Sequence, residues 1–298
     1  MDIYTFTDLF VEKLLQALGK DCWIELREVA RNNGKNQDEI LIRSGDVAIS
    51  TIYSMNNCYE LYRRGKTIES LISEIVAEYR DNQKHFIFPK AEHLKDFNRI
   101  KDRLFVRLMN RNWNQEYLRN KVYESYLDLA AVYYIDLRKD VHFKTKYAGV
   151  TIIREVFQEW NIPLSVLHKT ALENMRRKSR VRLQKLDHLL KESGCNLADE
   201  EEDNLWILKN ENDYDCGATA LLYPDLLEQA AEKIPGNFYI IPSSVCEILL
   251  YPEEAGLTAK NLKDEMFEAN YTFVKREELL SNHIYYYDAK KKTVSIAI

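Results

Sequence analysis

The sequence predicts an α+β fold in which mixed sheets pack against helices, arranged as two closely associated sub-domains. Three observations predict this fold. Some segments alternate between apolar and polar residues as strands do, others are amphipathic as helices are, and the predicted strands and helices follow one another without strict βαβ alternation. The 298 residues include only 9 Gly and 6 Pro, and 46% of them are hydrophobic. So few chain breakers over this length indicate regular, well-packed elements and no long linkers.

The N-terminal elements are predicted to be one helix followed by strands. An amphipathic helix covers the first residues and ends at Gly19. The segment 22–33 alternates as a half-buried strand does, and Asn32-Asn33-Gly34 supplies a turn. Residues 39–54 form a second strand or a pair of strands, with a bulge or turn at Ser44-Gly45.

The middle of the chain is predicted to contain helices on either side of two apolar strands. In order, the segments are two helices (56–66 and 67–80), two strands (103–110 and 126–140) and two further helices (149–160, and from Pro163 to 194). Thr67 is the N-cap of its helix. The strand in 126–140 is apolar enough to be central in a sheet.

The acidic run DEEED at 199–203 is the best candidate for a domain boundary. We therefore predict an N-terminal α+β domain over 1–195 and a C-terminal α+β domain over 196–298. The elements after the run are predicted in this order: strands at 205–209 and 219–222, a helix at 224–233, strands at 237–242 and 245–252, a helix at 258–271, and a hairpin of 283–288 with 293–298.

Four segments resemble the recurring segments of a bacterial family known only as a domain of unknown function. They are DLAAVYYIDL (128–137), GATALLYPDLLEQ (217–229), FYIIPSSVCEILLYP (238–252) and LSNHIYYYD (280–288). The resemblance covers the chain from about residue 40 to its end, and a second uncharacterised bacterial family is distantly similar. It implies no activity, cofactor or partner. In the family pattern an aromatic residue is common at the position of Cys216, which implies that this cysteine is a local substitution.

Charge and cysteine usage predict a cytoplasmic protein. The formal net charge is −5, which repels phosphate backbones and disfavours a nucleic-acid partner. No apolar run is long enough to span a bilayer, and the first residues carry acids where a signal peptide carries basic residues. The five cysteines are odd in number and widely spaced, which is typical of reduced thiols: Cys22, Cys58, Cys195, Cys216 and Cys246.

The stretch NDYDCGATALLYPD raises the question of whether Cys216 is a catalytic nucleophile. In a papain-like order, Cys216 would attack a carbonyl, His283 would accept its proton and Asp288 would orient the imidazole. A papain-like cysteine begins a long helix, whereas the residues after Cys216 are strand-like and Pro224 follows within eight residues. His283 and Asp288 also fall on opposite faces of a predicted strand. We therefore predict that Cys216 is a packed or edge thiol.

Acidic residues in the central strand suggest two further sites, and the sequence argues against both. Asp136, Asp140 and His142 fall at even spacing and could hold a divalent metal, but no second cluster supplies the remaining ligands. Asp128 and Asp136 could be the paired carboxylates of a nuclease core. Such a core has a Lys two residues after its second acid, where this chain has Arg138. We predict that Arg138 forms ion pairs here and that no metal is bound.

Serine and glycine motifs for other chemistries are also absent from the sequence. Ser243 and Ser244 follow a predicted strand but lack the Gly-x-Ser-x-Gly elbow that exposes a nucleophile. We predict that they are turn or bulge residues between two strands. The glycines are scattered singly, so the chain has no Gly-rich phosphate loop, and we expect no cofactor.

The segment 169–185 is strongly basic in an otherwise acidic chain and is predicted to be helical. Its arginines would be the contacts of a nucleic-acid or acidic protein partner: Arg176, Arg177, Arg180 and Arg182. The segment lacks aromatic residues that could stack on bases, which disfavours single strands. A solvated helix face, paired with the acidic run at 199–203, is the interpretation we favour.

These observations favour a non-enzymatic binding or interaction protein whose partner is another protein of unknown identity. Two alternatives remain open. The first is a cysteine-dependent hydrolase that uses Cys216 and His283. The second is a nucleic-acid-associated accessory protein that uses the basic helix predicted at 169–185. The sequence does not determine the oligomeric state.

Overall fold

The structure, a computed structural model, combines helices with three antiparallel sheets, which confirms the α+β class. It describes residues 1–30, 32–34, 36–44, 51–85, 91–137, 149–178, 180–192, 204–211, 217–234 and 236–298. The α-helices are α1 (Ile3–Leu18), α2 (Met55–Arg63), α3 (Ile68–His85), α4 (Ala91–Leu94), α5 (Phe97–Ile100), α6 (Gln115–Leu118), α7 (Arg154–Glu159), α8 (Leu164–Lys178), α9 (Leu186–Glu192), α10 (Pro224–Lys233) and α11 (Ala259–Phe273). Short 3₁₀ helices lie at Asn32–Gly34, Lys101–Arg103, Gly217–Leu222, Glu253–Ala255 and Arg276–Glu278.

The first sheet is formed by the strands predicted near the N-terminus. Its order is β1-β2-β3, with β1 (Cys22–Ala30), β2 (Asn36–Ser44) and β3 (Thr51–Ser54). Because side chains alternate along a strand, Ile40 and Ile42 of β2 point to the same face. Both are fully buried there against Phe6 and Phe10 of α1, together with residues of α2 and α3. The three helices therefore cover one face of this sheet.

The ends of these elements agree with the signals in the sequence. Helix α1 ends at Gly19, which has a positive φ of 88°. At the start of α3, the Ser70 N–H donates to the Thr67 hydroxyl at 3.1 Å, so the predicted N-cap is confirmed. The predicted turn at Asn32-Asn33-Gly34 is also confirmed, and Asn33 takes a left-handed conformation with φ 63°. Gly45 of the predicted Ser44-Gly45 bulge lies outside the described residues.

The second sheet has a buried central strand, as the apolar run at 126–140 predicts. Its strands are β4 (Leu104–Asn110), β5 (Tyr123–Tyr126), β6 (Leu129–Asp136) and β7 (Gly149–Thr151). Strand β6 lies in the middle, with β4 on one side and both β5 and β7 on the other. Nearly every residue of β6 is buried, and helix α8 packs against β4.

The third sheet collects the C-terminal strands. Its strands are β8 (Val181–Lys185), β9 (Trp206–Asn210), β10 (Phe238–Ile241), β11 (Glu247–Pro252), β12 (Tyr285–Asp288) and β13 (Thr293–Ile296). All of its pairings are antiparallel, in the order β13-β12-β10-β11-β9-β8. The predicted helices at 224–233 and 258–271 and the final hairpin are confirmed as α10, α11 and β12–β13.

The second and third sheets share one hydrophobic core. Its fully buried members come from both parts of the chain and include Leu104 and Tyr133 before residue 195, and Phe238 and Tyr285 after it. Strand β8 also precedes residue 195 and pairs with β9 beyond it. The division into domains at 1–195 and 196–298 stays a prediction.

The predicted basic helix over 169–185, part of a longer helix to 194, is wrong in its second half. Helix α8 ends at Lys178, and Val181–Lys185 form strand β8. Val181 and Leu183 alternate with polar residues, so this segment can pair along β9 while one face packs on the core. Tertiary pairing here overrides a helical preference that the charged residues suggest.

Two shorter predictions are also wrong. The predicted helix at 149–160 begins only at Arg154, because residues 149–151 pair with β6 as strand β7. The predicted strand at 219–222 belongs to a 3₁₀ helix, Gly217–Leu222. Its small apolar residues pack against the connection between β10 and β11, where the Ala218 N–H donates to the Val245 carbonyl at 3.2 Å. A short apolar run does not distinguish a strand from a buried helical turn.

Candidate functional site

A cleft with a volume of about 390 Å³ lies where the second and third sheets meet. That volume is within the usual range of ligand-binding pockets. We call it the β5–β13 cleft and define it by residues of β5, of α8 and of the β12–β13 hairpin: Glu124, Ser125, Tyr126, His168, Lys292, Thr293 and Val294. Apolar residues of the 3₁₀ helix Gly217–Leu222 and of α10 complete its lining.

Two strands at the ends of their sheets form the walls of the cleft. Strand β5 pairs with β6, and β13 pairs with β12 in the hairpin. In the described part of the chain neither strand has a second pairing partner. One wall is therefore β5 together with His168 of α8, and the other is the β12–β13 hairpin. A groove between two edge strands exposes backbone groups as well as side chains.

The β5 wall holds a hydrogen-bonded set of three side chains. His168 Nδ1 lies 2.7 Å from the hydroxyl of Tyr133 and 3.2 Å from Oε2 of Glu124. Tyr133 is buried, whereas the Glu124 side chain is 48% exposed. Burial and the nearby Glu124 charge raise the pKa of the Tyr133 hydroxyl, so it remains a proton donor. The set fixes the orientation of the imidazole through one ring nitrogen.

The second ring nitrogen of His168 is the group that a ligand would meet. Nε2 has no hydrogen-bond partner among the described residues, and His168 lines the cleft. Nδ1 can donate to the Glu124 carboxylate only when it carries the imidazole proton; the Tyr133 hydroxyl, 3.5 Å from the same carboxylate oxygen, can then donate to it as well, and Nε2 is an acceptor. When the Tyr133 hydroxyl donates to Nδ1 instead, Nε2 carries the proton. Nε2 therefore pairs with an N–H of a bound molecule in the first tautomer and with a carbonyl or carboxylate oxygen in the second.

The opposite wall carries an ion pair. Lys292 Nζ lies 2.5 Å from Oε2 of Glu228 on α10. The hydrogen bond and charge of Glu228 raise the pKa of the Lys292 ammonium. The β5 wall thus carries the exposed Glu124 carboxylate, and the hairpin wall carries an ammonium that is paired with Glu228 but is still 60% exposed, so an acidic group of a ligand can also reach it. Its charge pattern is complementary to a ligand that carries both signs.

Next to β5, a buried carboxylate joins the second sheet to the third. Asp128 accepts hydrogen bonds from side chains of β4, of β12 and of the segment before β12: from Asn110 Nδ2 at 3.2 Å, from Tyr285 Oη at 2.5 Å, from Ser281 Oγ at 2.7 Å and from His283 Nδ1 at 3.1 Å. The Asp128 side chain is 6% exposed and that of His283 is 41% exposed. Burial and the Asp128 charge raise the pKa of Tyr285, which stays a donor. Four donors satisfy a carboxylate that would otherwise be costly to bury.

The residues of the predicted triad fall as follows. Cys216 lies outside the described residues, and the Gly217 that follows it packs against the carbonyl of Cys246. His283 precedes β12 and hydrogen-bonds Asp128, a carboxylate that we did not predict as its partner. Asp288 ends β12, and its carboxylate accepts from Lys291 Nζ at 2.8 Å. The structure therefore supplies an oriented imidazole at His283, but through Asp128.

The four arginines of the basic segment lie on α8, β8 and the residues between them, and three form ion pairs. Arg176 pairs with Asp225 and its guanidinium lies over the Tyr223 ring; Arg177 pairs with Asp102 at 3.6 Å. Arg182 pairs with Glu192 at 3.3 Å and Glu211 at 3.9 Å, and Arg180 is exposed. The predicted pairing with the acidic run lies outside the described residues. These exposed pairs leave less positive charge available to a nucleic acid.

The other predicted sites are placed only in part. Asp136 is buried at the end of β6, and Arg138, Asp140 and His142 lie outside the described residues. The described residues contain no group of three or more His, Cys, Asp or Glu side chains that could hold a metal ion. Ser243 and Ser244 connect β10 to β11 as predicted, and the Ser244 hydroxyl accepts from the Cys246 N–H at 3.0 Å.

The residues of the cleft were missed by reasoning from the sequence alone. Glu124, Tyr133 and His168 come from β5, β6 and α8, and no motif joins them. A single signal existed: a lone histidine at position 168, between the buried Leu167 and the basic end of α8. A lone histidine on a helix is weak information until its neighbours in space are known.

Comparison with known proteins gives a family. The model of a family of unknown function (DUF5688) matches residues 3–289. No curated protein and no solved structure matches the chain. Within the described residues, every helix is too short or too polar to cross a lipid bilayer.

Proposed function

The chain belongs to the DUF5688 family of unknown function, and we propose that it is a non-enzymatic binding protein whose partner is another protein. The partner docks at the β5–β13 cleft. Its polar groups meet Nε2 of His168 and the Glu124 carboxylate on one wall and Lys292 on the other. We further propose that the protein is bacterial and cytoplasmic; the free thiols of Cys22 and Cys58 support a reducing compartment.

One observation supports this proposal most: an imidazole held in place on one wall of a ligand-sized cleft. Tyr133 and Glu124 both approach Nδ1, so Nε2 is the nitrogen left for a bound molecule. Pre-orientation of a polar group lowers the entropy that binding must overcome. The apolar part of the lining, from the 3₁₀ helix Gly217–Leu222 and α10, supplies area for burial of an apolar side chain.

The test is site-specific photo-crosslinking in the native host. A benzophenone amino acid at position 293, in place of Thr293, lies on the cleft wall, and the same amino acid at Lys290 lies on the same hairpin outside the cleft. We expect a discrete protein adduct from position 293 and none from position 290. Each adduct is detected as a band of higher mass and identified by mass spectrometry. Adducts from neither position, or equally from both, would contradict the proposal.

A cysteine-dependent hydrolase is a second candidate, because His283 is oriented by a buried carboxylate and is 41% exposed. In that function His283 Nε2 would take the proton of Cys216. We predict that an iodoacetamide-type reporter labels Cys216 at neutral pH no faster than it labels an unactivated thiol. Selective labelling that is lost in Cys216→Ser and in His283→Ala, with both variants still folded, would support the hydrolase instead.

The nucleic-acid-associated alternative, through Arg176, Arg177, Arg180 and Arg182, has less support. Three of these arginines are engaged by acids, and the segment is divided between a helix and a strand. A protein binds nucleic acid through cationic side chains that contact phosphates and release counterions from them. An arginine that is already paired with an acid of the same protein contributes less to such contacts.

A further inference from the structure

Within the described residues, strand β13 is an edge strand that pairs on one side only. It is the last strand of the third sheet, and three of its four residues are exposed. Ile296 is 42% exposed and Ile298, just beyond the strand, is 41% exposed. An edge strand of this kind presents unpaired N–H and C=O groups in a row. Because Thr293 and Val294 line the β5–β13 cleft, this row is adjacent to the cleft.

The two walls of the cleft carry opposite charges. These charges determine which charged side chains are favourable in a segment that lies along β13. Glu124 is half exposed beside His168, and Lys292 is 60% exposed at the start of the strand. Neighbouring side chains on a strand point to opposite sides. An extended segment with a basic side chain and an acidic side chain on its two sides is complementary to both walls.

We infer that the partner contributes an extended segment that adds to β13 as a seventh strand of the third sheet, with a Lys or Arg side chain directed at Glu124 and an acidic side chain at Lys292. This inference rests on the proposed function and specifies how the partner binds. Main-chain hydrogen bonds to β13 supply affinity, and the side chains that enter the cleft supply specificity. Nε2 of His168 forms a hydrogen bond with a main-chain N–H or C=O group of the same segment.

The experiment uses an array of N-acetylated heptapeptides of alternating apolar and charged residues, titrated against the whole protein by fluorescence anisotropy. Each binding peptide is also made in two forms, N-methylated at its odd or at its even positions. In a strand, every second N–H faces the neighbouring strand. We expect one form to lose at least about tenfold in affinity and the other to stay within about twofold, since two lost hydrogen bonds correspond to about a tenfold change.

Charge variants provide the control. Lys292→Glu should weaken binding of peptides with an acidic residue, whereas Lys290→Glu, an exposed site on the same hairpin, should leave it unchanged. Equal loss from both methylated forms, with the Lys292 effect intact, would overturn strand addition and leave docking at the cleft. Absence of any binding peptide, together with a crosslinked adduct from position 293, would overturn the inference alone. Absence of both would overturn the proposed function as well.

Discussion

Replacement of Gly217 by alanine is expected to destabilise the protein by about 3 kcal/mol or more, or to prevent folding. A Cβ atom at this position would lie 1.9 Å from the carbonyl oxygen of Cys246 and 3.2 Å from the backbone nitrogen of Asn210. Both contacts are with backbone atoms, so relief requires a shift of β9 or of the chain leading into β11. Chemical denaturation of the variant, followed by circular dichroism, measures the loss.

The matched control is Gly65→Ala. Gly65 has a φ of +100° and open space around its Cβ position, so this variant measures the cost of backbone conformation without crowding. A left-handed conformation costs a non-glycine residue about 1–2 kcal/mol. A Gly217→Ala loss no larger than the Gly65→Ala loss would show that the 3₁₀ helix beside the cleft does not pack against Cys246 as described.

Replacement of Asp128 by alanine is expected to cost about 3–5 kcal/mol of unfolding free energy. The change removes the acceptor of four hydrogen bonds. The buried hydroxyls of Ser281 and Tyr285 then lose the carboxylate to which they donate. Unsatisfied buried donors each cost about 1–3 kcal/mol. Because Asp128 joins the turn after β5 to the residues around β12, the loss should appear in the global unfolding transition.

The control for this variant is Asp288→Ala on the same hairpin. Asp288 pairs with the exposed Lys291 side chain and accepts its backbone N–H at 2.9 Å; an exposed ion pair contributes about 1 kcal/mol or less, and a hydrogen bond in an exposed turn about 1 kcal/mol. We expect a large difference between the two variants in guanidinium unfolding. Similar losses for Asp128→Ala and Asp288→Ala would mean that the Asp128 hydrogen bonds do not hold the two sheets together.

Helices and strands with strong local signals could be predicted from the sequence. Elements whose conformation depends on tertiary pairing could not. The alternation in 22–33 and the apolar run in 126–140 identify β1 and β6, and Pro224 places the start of α10. Val181–Lys185 follows a helix directly and becomes a strand only because β9 is available to pair with it. The 3₁₀ helix Gly217–Leu222 has no periodic pattern long enough to recognise.

The candidate site could not be predicted because its parts are distant in sequence. His283 is 155 residues from Asp128, its hydrogen-bond partner, and the only acid that spacing suggested was Asp288. Likewise, Tyr133 and His168 are 35 residues apart and meet only when α8 packs on the second sheet. Contacts between different sheets and helices carry no local pattern in a single sequence.

The most direct test of the central claim, that the β5–β13 cleft is where a protein partner docks, is crosslinking from position 293 in the Lys292→Glu and Lys290→Glu backgrounds. Both lysines lie in the same exposed turn, and only Lys292 lines the cleft. We predict that the adduct is strongly reduced by Lys292→Glu and retained with Lys290→Glu. An adduct of equal yield in both backgrounds would contradict docking at the cleft.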